Sequence, residues 1–462
     1  MSEMPFVMRR SPYHGWLPRH REVHRAFIKE KVTKAYARKD RMERSRPGAE
    51  PLHTDPVTRF TEVILGDSYM KLPLKRYFSK STLIPKYGPT DWVDPNYVVT
   101  DSETFLHLLD VIVQEPPAYY KAKREDGSII GEPIGVPMYL VFDMLSNTSA
   151  AYDLFRHDPF NVALKNLLDA WGVYLKSTAS NVTLTTGPEG WFSPEAMADF
   201  VPYIKPLTFE ATYICPNPSA ENKGFQSWDA FFTRELQPTA RPVVLPDNSY
   251  LIHNACESTT LRFATDVKLH DTFWLKDQNY SLYDMLGGND EDAQKFVGGT
   301  VYQAFLSPQD YHRWHSPITG TITKAVVLPG TYYAVLFDDG APADDPDLEQ
   351  GDPHGALIRS QPWLSVSSTR ALIFIQSDNL DIGLVCFIAI GMAEVSTCAI
   401  TVTEGQRVSV GEELGMFHFG GSSHTLIFGP KAKITFEDLA DRPIEPNNHY
   451  WINTVIGKVA RN

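Results

Sequence analysis

At 462 residues the chain is too long for a single ordinary hydrophobic core, so two packed regions are expected. Its hydrophobic content of 43% is that of a globular protein, and its formal charge of -13 argues against nucleic acid as a partner and against attraction to anionic membrane surfaces. No run approaches the roughly 20 apolar residues of a membrane span, and the N-terminus lacks the apolar centre of a secretory signal. Four scattered cysteines, Cys215, Cys256, Cys386 and Cys398, have no CxxC or Cys/His metal spacing and read as reduced thiols. A cytoplasmic protein acting on a small molecule is the expectation.

Residues 1–55 form a basic N-terminal arm, with an amphipathic helix predicted across His20 to Arg41 and either a solvated face or a phosphate- or membrane-binding role for its cations. Residues 56–220 read as a mainly helical domain. Phe105, Leu108, Leu109 and Ile112 share a helical face, Met138 to Leu145 and Val162 to Leu175 are apolar at helical length, and Gly187-Pro188-Glu189-Gly190 and Pro216-Asn217-Pro218 break the pattern. From 221 to 462 the period shortens. Strand-like runs at Leu251-Ile252, Thr300 to Phe305, Gly320 to Val327, Tyr332 to Leu336, Ala371 to Ile375, Gly383 to Ile390 and Val395 to Val402 predict a β-rich antiparallel domain and an α+β fold overall.

The segment from Gly411 to Phe428 reads GEELGMFHFGGSSHTLIF. Two glycines and two hydroxyl residues between strand-like flanks make a turn in which the Ser422 hydroxyl can reach the Gly421 carbonyl through a five-membered ring, turning an amide into an ester if a base takes the proton. Phe225 to Val243, FQSWDAFFTRELQPTARPV, places Trp228, Phe231 and Phe232 to pack a helix, with Arg234 and Arg241 available for carbonyls or carboxylates. Tyr311 to Pro317, YHRWHSP, holds two histidines three residues apart, which read as a proton-transfer pair or, with a carboxylate, as zinc ligands. Asp338 to Asp352, DDGAPADDPDLEQGD, is an acidic loop able to offer oxygens to Ca²⁺.

Together GMFHFGGSS, YHRWHSPITGTI, GMAEVSTC and the Phe-Phe-x-Arg-x-Leu…Ala-Arg-Pro segment resemble the phosphatidylserine decarboxylase family, whose members cleave themselves before a serine and convert it to a pyruvoyl group. The resemblance implies cleavage between Gly421 and Ser422, a pyruvoyl group derived from Ser422, and two chains that stay associated. It implies His315 as the base that deprotonates Ser422 and His312 as the proton-transfer group in decarboxylation. The family's Ala-Asp dipeptide, whose aspartate orients the catalytic histidine, falls at Cys256-Glu257. Glu257 is one methylene longer, and a shifted alignment puts Cys256 there instead. The phrases look most like the soluble fungal branch that acts on tryptophan, so an aromatic L-amino acid is the expected substrate, tryptophan giving tryptamine and CO₂. The alternatives are a phosphatidylserine decarboxylase attached peripherally through residues 9–45, and a non-catalytic homologue.

Overall fold

A computed structural model describes residues 8–9, 18, 20–48, 52–71, 99, 101–146, 149–270, 280–335, 341–345, 350, 360–394, 397–419 and 421–461. The N-terminal half is helical: α1 (Arg21–Ser45), α2 (Asp55–Gly66), α3 (Ser102–Ile112), α4 (Pro137–Ser146), α5 (Asp158–Lys176), α6 (Pro194–Ile204) and the short α7 (Trp228–Phe232). The sequence explains their limits. Asp101 caps α3 by accepting the Thr104 N–H at 2.8 Å, and Ser227 caps α7 through Ala230 N at 3.1 Å. In α5, Pro159 stands in the first turn, and Phe160, Leu164, Leu167, Leu168, Trp171 and Leu175 recur at helical spacing as its buried stripe.

The first helix is not a loose arm. Val23, Phe27, Val32 and Ala35 are fully buried, and four of its cations pair with neighbouring carboxylates: Lys31 and Lys34 with Glu115, Arg38 with Asp110 at 3.1 Å and Lys39 with Asp101 at 3.1 Å, while Lys29, Arg41 and Arg44 are exposed. Part of the basic charge of this segment is thus spent on internal pairing with α3 and the loop after it.

The strands follow mostly in the C-terminal half. The first three are β1 (Met8–Arg9) and a hairpin of β2 (Tyr119–Lys123) and β3 (Ile129–Pro133) inside the helical region. Then come β4 (Leu251–His253), β5 (Ser258–Thr265), β6 (Thr300–Leu306), β7 (Arg313–His315), β8 (Gly320–Leu328), β9 (Arg370–Ser377) and β10 (Leu384–Met392). The last are β11 (Thr397–Ile400), β12 (Arg407–Val408), β13 (Glu413–His418), β14 (Gly421–Phe428), β15 (Ile434–Thr435), β16 (Asn448–Tyr450) and β17 (Val455–Val459). The expected strand at Tyr332 to Leu336 is not one. Thr331 makes an isolated bridge to Ser368 and Tyr332 to Val335 run on as loop, their side chains buried beneath the helices, while Leu336 lies outside the described residues.

A nine-stranded antiparallel sheet in the order β1-β16-β5-β6-β14-β10-β9-β8-β12 is the frame. One face packs on the helices, with Phe305, Phe374, Ile388, Ile390 and Ile427 in a core shared with α1 to α7. The other face packs on two three-stranded sheets, with Leu306, Ala389, Phe387, Leu426 and Phe428 beside Trp314, Phe417 and Ile456. Because β10 is covered on both faces it reads as an unbroken apolar run, LVCFIAIGM, rather than an alternating one.

Candidate active site

The centre of the sheet leads to the Gly421-Ser422 peptide bond. β14 lies between β6 and β10, with Ser422 opposite Leu306 on one side and Gly391 on the other, and Gly421 opposite Met392. Side chains alternate along it, so Ser422 and His424 share the face of Leu426 and Phe428, toward the small sheets, while Ser423 and Thr425 share the face of Ile427, toward the helices. Ser422, Ser423 and Thr425 are fully buried, and their hydroxyls have no hydrogen-bond partner among the described residues. Just before the turn, Phe419 adopts φ +45°, a left-handed conformation costly for a bulky residue. Edge contacts hold it there, from Trp171 of α5 at 4.3 Å and Trp228 of α7 at 4.8 Å between ring centroids.

β6 brings the second segment to the same place. Leu306, paired with Ser422, is its last residue, and the chain then turns tightly: Asp310 Oδ2 accepts the Ser307 N–H at 2.7 Å, and the Ser307 carbonyl accepts the Asp310 N–H at 3.0 Å. The Arg234 guanidinium ties this loop down by donating to the carbonyls of Gln309 at 2.6 Å and Asp310 at 3.0 Å. His312 follows, its carbonyl accepting Phe417 N–H at 3.0 Å and its ring stacked on Phe232 at 3.9 Å. Phe232 lies 6.2 Å from Phe419, which places His312 beside the strained turn.

Neither ring nitrogen of His312 has a hydrogen-bond partner among the described residues, and burial, reinforced by the Arg234 charge, lowers its pKa from 6.5 to about 3. His315, on β7, shares a hydrogen bond between its Nε2 and Tyr311 Oη at 3.2 Å, while its Nδ1 has no partner within hydrogen-bond distance among the described residues, although the Asn453 side chain is near enough to the ring to oppose the fall in its pKa. Burial lowers its pKa to about 4. Both imidazoles are therefore neutral at pH 7 and able to accept or pass a proton.

Glu257 departs from the expectation. It is fully buried, but both carboxylate oxygens accept from Arg241, Oε2 from Nε and Oε1 from Nη2, each at 3.1 Å, rather than from an imidazole. Arg241 also donates to the carbonyls of Ala240 and Tyr203 at 3.1 and 3.0 Å and lies 4.0 Å above the Trp451 ring. The longer glutamate side chain meets a fixed guanidinium and becomes half of a buried ion pair. Its neighbour Cys256 is a buried thiol whose pKa burial raises well above 9.0, so it is uncharged.

The histidine contacts near the site are others, two to carboxylates and one to a hydroxyl, missed in the sequence because their partners are distant along the chain. His449 Nε2 meets Asp310 at 2.8 Å, His418 Nδ1 meets Asp229 of α7 at 3.0 Å, and His424 Nε2 meets Ser258 Oγ at 3.1 Å. His418 and His424 sit in the GMFHFGGSSHTLIF run itself, and their strand parity was the available signal.

No metal set forms at His312 and His315 among the described residues. The group of potential ligands among the described residues is His53, His107 and Asp110, in the helical region. Asp110 is already saturated there by Arg38 at 3.1 Å, His53 at 2.8 Å, His107 at 3.3 Å and the Thr54 N–H and hydroxyl at 2.7 and 2.8 Å. With a guanidinium on the same oxygen, this is a knot tying α1 to α3 rather than a cation site. Most of the acidic stretch Asp338 to Asp352 lies outside the described residues, and a Ca²⁺ site there has no support.

The phosphatidylserine decarboxylase profile matches residues 228–442, which span α7, both histidines and the whole of β14, and a second phosphatidylserine decarboxylase profile matches residues 54–200. The decarboxylase iboD of Amanita muscaria (strain Koide BX008) is 53% identical over 352 residues, 76% of this chain and 99% of that protein. The chain belongs to the phosphatidylserine decarboxylase family. This decarboxylase, a carboxy-lyase, is also 37% identical over 338 residues to the L-tryptophan decarboxylase of Psilocybe cyanescens, covering 71% of this chain and 75% of that one. It is 30% identical over 268 residues to phosphatidylserine decarboxylase proenzyme 3 of Schizosaccharomyces pombe, covering 58% of this chain and 25% of that one. No helix among the decarboxylase's described residues is long and apolar enough to cross a membrane.

Proposed function

We propose that the decarboxylase cuts its own chain between Gly421 and Ser422, converts Ser422 to a pyruvoyl group, and then decarboxylates a free aromatic L-amino acid, with tryptophan the first to test. The observation that carries this is the Ser422 hydroxyl: fully buried, unpartnered among the described residues, and directly after a glycine whose carbonyl it can reach. An unsatisfied buried hydroxyl costs on the order of 1–3 kcal/mol, and the cost is accounted for if that oxygen is a nucleophile. The same features fit a pyruvoyl precursor, because Gly391 opposite presents no side chain and the polar groups around the turn have partners to gain.

In the cut, Ser422 Oγ bonds to the Gly421 carbonyl carbon, the Gly421–Ser422 C–N bond breaks, and the hydroxyl proton passes through a base to the freed nitrogen, leaving an ester; loss of the Ser422 Cα proton then breaks the Cβ–Oγ bond, releasing the Gly421 carboxylate and a dehydroalanine that takes up water and loses ammonia to become the pyruvoyl group. His315 supplies that base in the tautomer whose Nε2–H donates to Tyr311 Oη and leaves the Nδ1 lone pair free. Residues 422–462 then stay in place because β14 is paired on both edges, to β6 and to β10. Once formed, a pyruvoyl group supplies the electron-withdrawing carbonyl that accepts the electron pair released with CO₂. His312, neutral and stacked against Phe232 beside the turn, relays a proton to the substrate carbon, one ring nitrogen accepting a proton as the other gives up its own.

A free amino acid as substrate is supported by the likeness to the L-tryptophan decarboxylase and by the aromatic cover over the turn, Trp171, Trp228, Phe232 and Phe419. The test is intact-mass spectrometry of the purified protein, followed by incubation with a panel of L-amino acids and with phosphatidylserine vesicles. A fragment starting at position 422 with a ketone-reactive terminus and release of tryptamine are expected. Ethanolamine lipid from the vesicles and no amine from the panel would replace the amino-acid reading with the lipid one, and an uncut inactive chain would remove both.

A further inference from the structure

β10 does not end at Met392 opposite Gly421. The chain continues through Ala393, at φ +55°, whose N–H donates to the Tyr332 carbonyl at 3.1 Å, and delivers Glu394 to the helical side of the cleavage turn. Glu394 is 3% exposed. Its Oε1 accepts the Tyr139 N–H, in the first turn of α4, at 2.8 Å; the N–H groups of Met138 and of Glu394 itself also face the carboxyl and oppose its rise in pKa, but Oε2 has no partner within hydrogen-bond distance among the described residues. Beside it stands Tyr333, 1% exposed, whose phenol is raised by burial and then by the Glu394 charge, and whose Oη is likewise without a partner among the described residues. The surroundings are aromatic: the Tyr333 ring lies 6.3 Å from Tyr139 and nearly parallel to it, 4.8 Å from Phe142 and 6.0 Å from Phe155.

A structural role accounts for half of this carboxyl. The N–H groups of the first helical turn lack intrahelical acceptors, and Oε1 satisfies one of them. A cap needs one oxygen, though, and a second left desolvated and unpaired next to an unpaired phenol is costly. Two unmatched polar atoms in an aromatic wall, at the end of the strand paired with Gly421 and Ser422, are what a ligand-binding wall presents before its ligand arrives. Burial raises the Glu394 carboxyl from 4.5 to about 8, so at neutral pH it is uncharged, with its proton on Oε2 because Oε1 accepts from Tyr139, and Oε2 meets a neutral donor through its remaining lone pairs.

We propose that Glu394 and Tyr333 form the side-chain subsite of the decarboxylase, in which Oε2 and Oη bind a hydrogen-bond donor carried on a neutral heteroaromatic ring of the substrate. This rests on the amino-acid reading above and adds to it the basis of selection. A ring bearing an N–H or O–H is accepted, and the same ring without the donor leaves two buried polar atoms unmatched, which is how polar sites reject analogues strongly.

The test compares L-tryptophan with 1-methyl-L-tryptophan, whose ring nitrogen has no hydrogen, in the wild-type, Glu394→Leu and Tyr333→Phe proteins. Intact mass reports cleavage at 422, and calorimetry reports the affinity of the cleaved proteins for tryptamine and 1-methyltryptamine. Wild-type protein is expected to favour the N–H compounds by about tenfold or more in kcat/KM and in affinity. Either variant should cut itself normally yet bring that ratio within about twofold of unity, mainly through KM. Variants that keep the wild-type ratio, whatever happens to their melting temperature, would reduce Glu394 to a helix cap and overturn the proposal. Tyr333→Phe serves if Glu394→Leu does not fold, since it removes one oxygen and leaves the α4 cap in place. Wild-type protein that cuts itself but decarboxylates no amino acid withdraws the amino-acid reading and this one together, and that result is visible without any variant.

Discussion

Along β14 the chain alternates between two cores, and the two sides are furnished differently. Toward the small sheets it places Ser422 and then His424, whose Nε2 is bonded to Ser258. Toward the helices it places Ser423 and Thr425, on the side where Glu394 and Tyr333 also lie. Past Thr425 both sides become apolar, with Leu426, Ile427 and Phe428. Unmatched polar atoms therefore gather at one end of one strand and on both of its faces. We read the difference as a division of work, with bond cleavage from the Ser422 face and substrate selection from the helical face.

The sharpest break of that division is to remove one hydroxyl from each face. Ser422→Ala should remain a single chain with no decarboxylation, while Ser423→Ala, one residue along and on the other face, should still cut itself to completion; intact mass separates the two. If Ser423→Ala also blocked cleavage, the faces would not be distinct. Next come the histidines. His315→Ala should slow cleavage by about 10²-fold or more, whereas His312→Ala should cleave and lose about 10²–10⁴-fold in kcat, measured as amine release from protein already shown to be cut. Equal loss of cleavage in both would merge the two roles.

Glu257 offers a smaller, energetic contrast. Glu257→Gln should leave the rate of cleavage near wild type, because the carboxylate serves Arg241 and not a histidine. Arg241→Met, which strands a buried carboxylate, should cost about 3–5 kcal/mol in urea melts. A Glu257→Gln protein that failed to cut would restore the glutamate to the catalytic set.

The smallest effects are in pH. His312, His315 and His424 have pKa values lowered by burial to about 3, 4 and 3, so the unfolded chain binds protons that the folded one does not as pH falls below 6.5. Stability should then fall toward acid, by at most about 1.4 kcal/mol per pH unit for each histidine. Glu394 has the opposite sign: raised to about 8, it binds a proton in the folded state that is lost on unfolding above 4.5, so its share of stability is present below 4.5 and lost as pH rises to about 8. Glu394→Gln should remove that loss of stability between about pH 4.5 and 8 and leave the profile below 4.5 unchanged.

Much of this was legible in the chain. The helices at Ser102–Ile112, Pro137–Ser146 and Asp158–Lys176 followed from apolar spacing, and β6, β8, β9 and β10 from short apolar runs, because both signals are local. Tyr332 to Val335 misled for the same reason. Its apolar content reflects burial under the helices, and burial alone does not specify a strand. In the basic segment the charge was visible, but the acids that pair with four of its cations, Asp101, Asp110 and Glu115, lie more than sixty residues away.

The sequence by itself determined the pair we propose to react, Gly421 and Ser422, and the presence of two histidines at a spacing of three, since these are consecutive or nearly consecutive residues whose chemistry is carried by type and order. Only the tertiary structure decided the partners. Whether Glu257 meets an imidazole or a guanidinium, whether α5 shields the turn through Trp171, and whether Glu394 faces water or an aromatic wall depend on which distant segments the sheet register brings together. A buried charge or hydroxyl takes its meaning from the few groups within hydrogen-bond reach, and those are set by packing rather than by neighbours in the chain.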